Sequence, residues 1–230
     1  MRMKMAPSLM SANLLELGNE IKALEPYADY LHVDIIDWHY VKNMCLTPQI
    51  LKEVHSVTNV PIEAHLYVDN IEEDLIKTCI ESGASIVTMP ADVIGRSINR
   101  FAAYVHDAGA KIGVFLNPSQ SIDSTIPYLK SIDLLLILAA DPGYGGQSFL
   151  PDTYERIRRA SQLRQEHHAD FEIEIDGNCE ESKFEALRRA GADVLALGRG
   201  CFGRSSRTAE AARLTRDSLL EVESKLALQV

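Results

Sequence analysis

Short apolar, β-rich runs alternate with amphipathic stretches along the whole chain, and this alternation limits the fold more than any single motif. The runs are KMAPSLM (residues 4–10), YLHVDII (30–36), IEAHLYV (62–68), SIVTMP (85–90), KIGVFLN (111–117), DLLLILAA (133–140), FEIEID (171–176) and VLALGRG (194–200). Helical patterns cover 13–25, 47–57, 70–82, 94–108, 121–130, 151–168, 180–190 and 206–226. Three of these end in nearly the same phrase, ESGAS (81–85), DAGAK (107–111) and RAGAD (189–193), in which glycine turns the chain out of a helix and into a strand. Strand–helix alternation builds a parallel sheet covered by helices. Eight such units in 230 residues predict a (β/α)8 TIM barrel. An open doubly wound sheet is the second choice, weakened because SLMSANL after the first strand has no glycine-rich fingerprint. No linker or low-complexity segment interrupts the pattern, so residues 1–230 read as one domain.

Within the second predicted strand, LHVDIIDWHY (31–40) places His32 and Asp34 on one face and Val33 on the other. A polar pair facing a core is costly unless something binds it. In a barrel the C-terminal strand ends share one mouth. His65 of the third strand, Asp176 at the end of the seventh and Ser8 of the first are aimed there as well. Two imidazoles and two carboxylates without a thiolate suit one divalent ion, Zn2+, Fe2+, Mn2+ or Co2+. His55, His106, His167 and His168 fall in helical stretches and read as solvated, whereas Asp37 and His39 lie in the loop after strand two.

DPGYGGQSF (141–149), DGN (176–178) and LGRG (197–200) put glycine turns after strands six, seven and eight. Loops after the last strands are the usual phosphate site of a barrel. Arg199 either adds a bidentate contact to phosphate or is a surface cation at a strand end. A net charge of −10 leaves no basic face for nucleic acid, though backbone N–H groups can still hold the phosphate of a small molecule. Cys45, Cys79, Cys179 and Cys201 form no CxxC pair and read as reduced thiols of a cytoplasmic protein. No apolar run is long enough to span a membrane, and MRMKMAPSLM lacks the apolar stretch of a signal peptide.

Taken in order, PSLMSANL, ADYLHVDIID, HLYV, NPSQS, DPGYGGQSF, EIDGNC and RAGADVLALG resemble the ribulose-phosphate 3-epimerase family from about residue 4 to 205. The wording of FLNP, DPGYGGQSFLP and EIEIDGNC is similar to its allulose-6-phosphate 3-epimerase branch. The resemblance implies a barrel of the ribulose-phosphate-binding type. It also implies inversion at C3 of a phosphorylated ketose through an enediolate, with D-allulose 6-phosphate as substrate and D-ribulose 5-phosphate as the alternative. It implies His32, Asp34, His65 and Asp176 as metal ligands, with Asp34 and Asp176 also the two acid/base groups. Substrate contacts would come from Ser8, His65, Tyr67, Asp141, Gly143, Gly145, Gly146, Gln147, Gly177, Asn178, Gly198 and Arg199. A homo-oligomer is implied as well. The residues suit that chemistry: a cation stabilises an enediolate, and two carboxylates can work on opposite faces of the carbon. One carboxylate must start ionised and the other protonated. No organic cofactor is expected.

Several positions depart from the family pattern. Asp37-Trp38 stands where the family reads Asp-Gly, and Ile36, Tyr67 and Ala139 or Ala140 stand where methionines line its pocket. Met89-Pro90 replaces a terminal histidine on strand four, Asn178 the second glycine of DGG, and Arg199 a small hydroxyl residue. None removes a ligand or a carboxylate, so an altered substrate preference is expected. A non-catalytic barrel that binds metal or sugar phosphate is a reading of another class, since fold does not fix function. A sugar-phosphate aldolase or decarboxylase would place a lysine at the strand ends, for which Lys4, Lys42 and Lys111 are poorly placed.

Overall fold

In the computed structural model, which describes residues 2–229, eight parallel strands form one sheet that curls onto itself. They are β1 (Lys4–Pro7), β2 (Leu31–Ile36), β3 (Ile62–Tyr67), β4 (Ala84–Pro90), β5 (Lys111–Leu116), β6 (Leu134–Leu138), β7 (Glu172–Asp176) and β8 (Val194–Leu197). Neighbours pair in sequence order from β2 to β8, and β8 pairs with β1. The seam between β1 and β2 is closed by the Ser8–His32 bridge and by Asp29 N donating to the Met5 carbonyl. This is the (β/α)8 barrel expected, and the closed order excludes the open doubly wound sheet. Among the described residues, no helix is long and apolar enough to cross a membrane.

The helices are α1 (Leu17–Leu24), α2 (Pro48–Val57), α3 (Glu73–Glu81), a short α4 (Ala91–Ile94), α5 (Ile98–Asp107), α6 (Thr153–Glu166), α7 (Phe184–Ala190), a short α8 (Arg199–Phe202) and α9 (Thr208–Ala227). Each helical pattern has a counterpart except 121–130, which forms a 3-10 helix over Ile122–Tyr128. Pro127 explains the difference, because it supplies no N–H and its ring crowds an α-helical turn. Strands one, three, five, six and eight end earlier than their apolar runs suggest, three and five by a single residue. Leu9–Ser11 turns into a 3-10 helix, and Arg199 opens α8. The apolar pattern continues past the regular ladders because these residues still pack, and Ser8 and Ala139 keep single backbone bonds to the Leu197 and Asp176 carbonyls.

Alternation sorts the side chains into two cores. Val33, Ile35, Ala64, Leu66, Val87, Val114, Leu135, Ile137, Ile173, Ile175 and Leu195 face outward and pack under the helices. Ala6, Ile36, Tyr67, Ile86, Phe115, Leu134, Leu136, Leu138 and Val194 face the barrel axis. The axis also holds polar groups throughout its depth. At the N-terminal end Lys4 Nζ donates to the Tyr30 hydroxyl at 2.7 Å and pairs with Glu172. In the middle lie His32, Glu63, Thr88 and Glu174, all fully buried. Nearer the C-terminal mouth lie His65, Asp34 and Asp176.

Candidate active site and metal centre

The strand registers bring the polar residues together. Asp34 of β2 lies directly beside His65 of β3, and Asp176 closes the ring from β7 across the axis. His32 Nε2 and His65 Nδ1 face each other at 2.9 Å. Asp34 Oδ1 lies 3.2 Å from the first and 3.3 Å from the second. Asp176 Oδ2 lies 3.9 Å from His32 Nε2 and 3.8 Å from His65 Nδ1. A single proton between two opposed imidazole nitrogens can serve only one acceptor, whereas a cation satisfies all four groups. Bonds of about 2.0–2.1 Å in tetrahedral geometry give donor–donor edges of roughly 3.3 Å. The observed separations bracket that figure, so the donor set fits a divalent ion held by His32, Asp34, His65 and Asp176.

The two carboxylates sit in different fields. Burial works against ionisation of Asp34, but the His32 ring and hydrogen bonds from both histidines prevail and hold its pKa well below the ordinary range. Ser8 Oγ also donates to Asp34 Oδ2 at 2.6 Å. For Asp176, burial is the largest influence and the Asp34 charge adds to it, so the pKa is raised despite the histidines. Tyr67 donates to Asp176 Oδ2 at 3.2 Å. Burial, and then the charges of Asp176 and Asp34, push the Tyr67 phenol well above its usual pKa, which keeps it a donor. Without an ion the two carboxylates are therefore shifted in opposite directions, which is the direction of split that mutual coupling of two nearby carboxylates produces.

Sequence reasoning missed the two glutamates beneath this layer. Glu63 Oε2 lies 2.8 Å from His32 Nδ1, and Glu63 Oε1 accepts from Thr88 Oγ1 at 2.6 Å. Glu174 Oε1 lies 3.5 Å from the same His32 nitrogen, and neither Glu174 oxygen has a hydrogen-bond partner among the described residues. Burial, followed by the Glu63 charge, raises the Glu174 pKa well above its ordinary value. The signal was present in the text: EAH (63–65) and EID (174–176) repeat the two-residue step of HVD (32–34), which puts each glutamate on its partner's inward face.

Above the donors a cleft opens at the mouth. Its lining includes Ser8, Asp34, Tyr67, Asp141, Gly143, Gly145, Gly146, Gln147, Asp176, Gly177, Asn178, Gly198 and Arg199. His65, expected to contact substrate as well as metal, is fully buried below this surface and does not line it. Met10, Ser11, Tyr144 and Cys179 line the cleft although the sequence reading passed over them. Gln147 Nε2 donates to the Asp141 carbonyl at 2.5 Å, so its amide shapes the loop. Asn43 Nδ2 donates to the Gly143 carbonyl at 2.6 Å and Tyr144 Oη to the Lys42 carbonyl at 2.8 Å, tying the loops after β2 and β6 together. Arg199 is the only cation lining the cleft among the described residues. A guanidinium nitrogen of Arg199 would stand 3.8 Å from a side chain built on Gly146.

The departures from the family pattern have a backbone explanation at two points. Trp38 has φ of +67° and Asn178 has φ of +50°, conformations that glycine adopts freely. Asparagine tolerates this region, while a bulky ring is strained there. Trp38 is half exposed on its loop and does not line the cleft. Asp37 is the loop's anchor, accepting from the backbone N–H groups of His39, Tyr40 and Asp69. Of the remaining departures, Tyr67 and Ala140 line the cleft, while Ile36, Ala139 and Pro90 are buried outside its lining.

The chain is similar to known proteins along most of its length. A family model described as the Ribulose-phosphate 3 epimerase family matches residues 4–202. Ribulose-phosphate 3-epimerase 1 of Cupriavidus necator is 32% identical over 206 residues, covering 87% of this chain and 84% of the relative. Ribulose-phosphate 3-epimerase of Bacillus subtilis is 32% identical over 206 residues, covering 89% and 94%. The Escherichia coli K12 protein of the same name is 31% identical over 199 residues, covering 86% and 88%. These relatives are named for a pentulose phosphate, not for the hexulose phosphate expected from the wording of FLNP and EIEIDGNC. Among solved structures, KGPDC from Streptococcus mutans superposes with a TM-score of 0.75 at 13% identity, covering 96% of this chain and 99% of that one. A 3-hexulose-6-phosphate synthase from Salmonella typhimurium does so with a TM-score of 0.70 at 15% identity, covering 96% and 100%. At that identity the likeness shows the barrel alone. The family match spans most of the chain and includes every strand, and on that ground the chain belongs to the ribulose-phosphate 3-epimerase family.

Proposed function

We propose that this chain is a metal-dependent 3-epimerase of a phosphorylated ketose and that its substrate is D-ribulose 5-phosphate. The observation that carries the reading is the pair Asp34 and Asp176, which reach one four-donor cluster from different sides of the barrel. Epimerisation beside a ketone removes the C3 proton from one face and returns a proton on the other. Asp34, held in place by the Ser8 hydroxyl, is suited to take the proton on its side of the substrate carbon. Asp176, which reaches the cluster from β7 across the axis, is suited to supply one from the opposite side. In the reverse direction the two exchange roles. A divalent ion held by His32, Asp34, His65 and Asp176 would supply Lewis-acid stabilisation of the charge that develops on the substrate oxygens. Gly146, Gly177, Gly198 and Arg199 surround the phosphate end, where the Arg199 guanidinium offsets the three carboxylates lining the cleft.

The test is exchange of solvent deuterium into the substrate at C3. Metal-loaded protein should exchange and epimerise ribulose 5-phosphate, and Asp34→Asn and Asp176→Asn should each stop epimerisation. Metal and sugar-phosphate binding without exchange would establish the non-catalytic barrel instead. Epimerisation of allulose 6-phosphate in preference to ribulose 5-phosphate would return the hexulose assignment.

A further inference from the structure

We propose that Thr88, Glu63 and His32 form a positioning relay across three adjacent strands, which fixes the His32 ring for metal binding, and that Gly113 makes room for it. The inference rests on the reading above that His32 ligates the cation. His32 of β2 stands beside Glu63 of β3 in register, and their side chains meet at 2.8 Å between Nδ1 and Oε2. Glu63 turns its other oxygen to Thr88 of β4, whose hydroxyl donates at 2.6 Å. Thr88 in turn stands beside Gly113 of β5. A Cβ on Gly113 would lie 2.2 Å from Thr88 Oγ1 and 2.9 Å from its Cβ, so any side chain there would displace the hydroxyl. Gly113 has no positive φ, and space rather than backbone conformation explains the glycine.

The arrangement has a direct chemical consequence. An imidazole that ligates a metal through Nε2 carries its proton on Nδ1, and a carboxylate acceptor there fixes both the tautomer and the ring plane. Glu63 is the acceptor, and Thr88 prevents its carboxylate from rotating away. The neighbouring Glu174, at 3.5 Å and without a hydrogen bond among the described residues, is not part of the relay. His65 lacks such support, because its Nε2 is buried without a partner among the described residues. His32 is therefore the pre-oriented ligand of the two.

Metal affinity measured by competition with a chromophoric chelator tests the relay without reference to any substrate. Glu63→Met, which removes the acceptor, should weaken Zn2+ binding by roughly 10- to 100-fold. Thr88→Val is nearly isosteric and should weaken it several-fold, while Thr88→Ser, which keeps the hydroxyl, should match the wild type. Gly113→Ala should behave like Thr88→Val, and Glu174→Gln like the wild type. A slowly exchanging imidazole N–H proton in the metal-loaded protein should persist in Thr88→Ser and disappear in Glu63→Met. Should Glu63→Met fold poorly, the Thr88→Val and Thr88→Ser pair decides the matter alone. Equal affinity in those two variants overturns the relay, as does a loss in Glu174→Gln equal to that in Glu63→Met. His32→Ala separates the two levels. If it binds Zn2+ as the wild type does, the ligand reading and the relay both fall; if it loses affinity while Glu63→Met and Thr88→Val do not, only the relay falls.

Discussion

Ser8 Oγ donates to Asp34 Oδ2 at 2.6 Å, joining the end of β1 to the carboxylate of β2 at the barrel's seam. A hydrogen bond to a charged group is worth about 1.5–3 kcal/mol. Ser8→Ala should therefore lower kcat/KM for the phosphorylated ketose by roughly ten- to a hundredfold, since each 1.4 kcal/mol is about tenfold. Steady-state kinetics at saturating metal read this directly, and a change under twofold would show that the bond does not hold the base.

Arg199 faces a cleft that also contains Asp34, Asp141 and Asp176. Its removal takes away the only lining cation among the described residues, so Arg199→Ala should raise KM for a ketose phosphate by roughly ten- to a hundredfold while changing kcat less. Turnover of an unphosphorylated ketose should be unaffected. An equal loss for both substrates would place Arg199 in loop structure instead.

Trp38 stores backbone strain at φ of +67°. Trp38→Gly should relieve it, offset in part by the greater freedom of glycine in the unfolded chain. The expected net gain is up to about 1 kcal/mol, or a rise in Tm of roughly 2–4 °C for a chain of this size. Because the ring does not line the cleft, kcat/KM should hold. A fall in Tm would show that ring contacts outweigh the strain.

Glu174 gives a pH signature in metal-free protein. Its folded-state pKa is raised well above the ordinary 4.5, first by burial and then by the Glu63 charge. The native state thus holds this proton more tightly than the unfolded chain does. The resulting stabilisation is complete below about pH 4.5 and is lost as pH rises through the folded-state pKa, by up to about 1.4 kcal/mol per pH unit. Glu174→Gln stays neutral at every pH, so its urea midpoint should gain on the wild type as pH rises from 5 to 8. A constant gap between the two proteins across that range would contradict the shift.

Local patterns revealed much of this site because strand alternation is a local property. His32, Asp34 and Val33 sort to their faces from their spacing alone, and the glycine turns after β6, β7 and β8 border the cleft. Glu63 and Glu174 follow the same rule, but their spacing gives only a face and not the groups they meet there until the opposite wall is known. Tyr67 looked like a substitution for a methionine, whereas its hydroxyl reaches Asp176, 109 residues away in sequence.

By itself the sequence determined the strand–helix alternation, the inward face of each strand and the chemical type of the donors. Those features depend on periods of two and 3.6 residues, which are read within a few positions. Tertiary structure decided which inward groups meet. It brought His32 Nε2 to 2.9 Å from His65 Nδ1, set Glu63 under one imidazole but left the other unsupported, and left Trp38 outside the cleft. The physical reason is barrel closure: the side-chain period fixes a face, while strand register and curvature fix what lies beside it and across the axis.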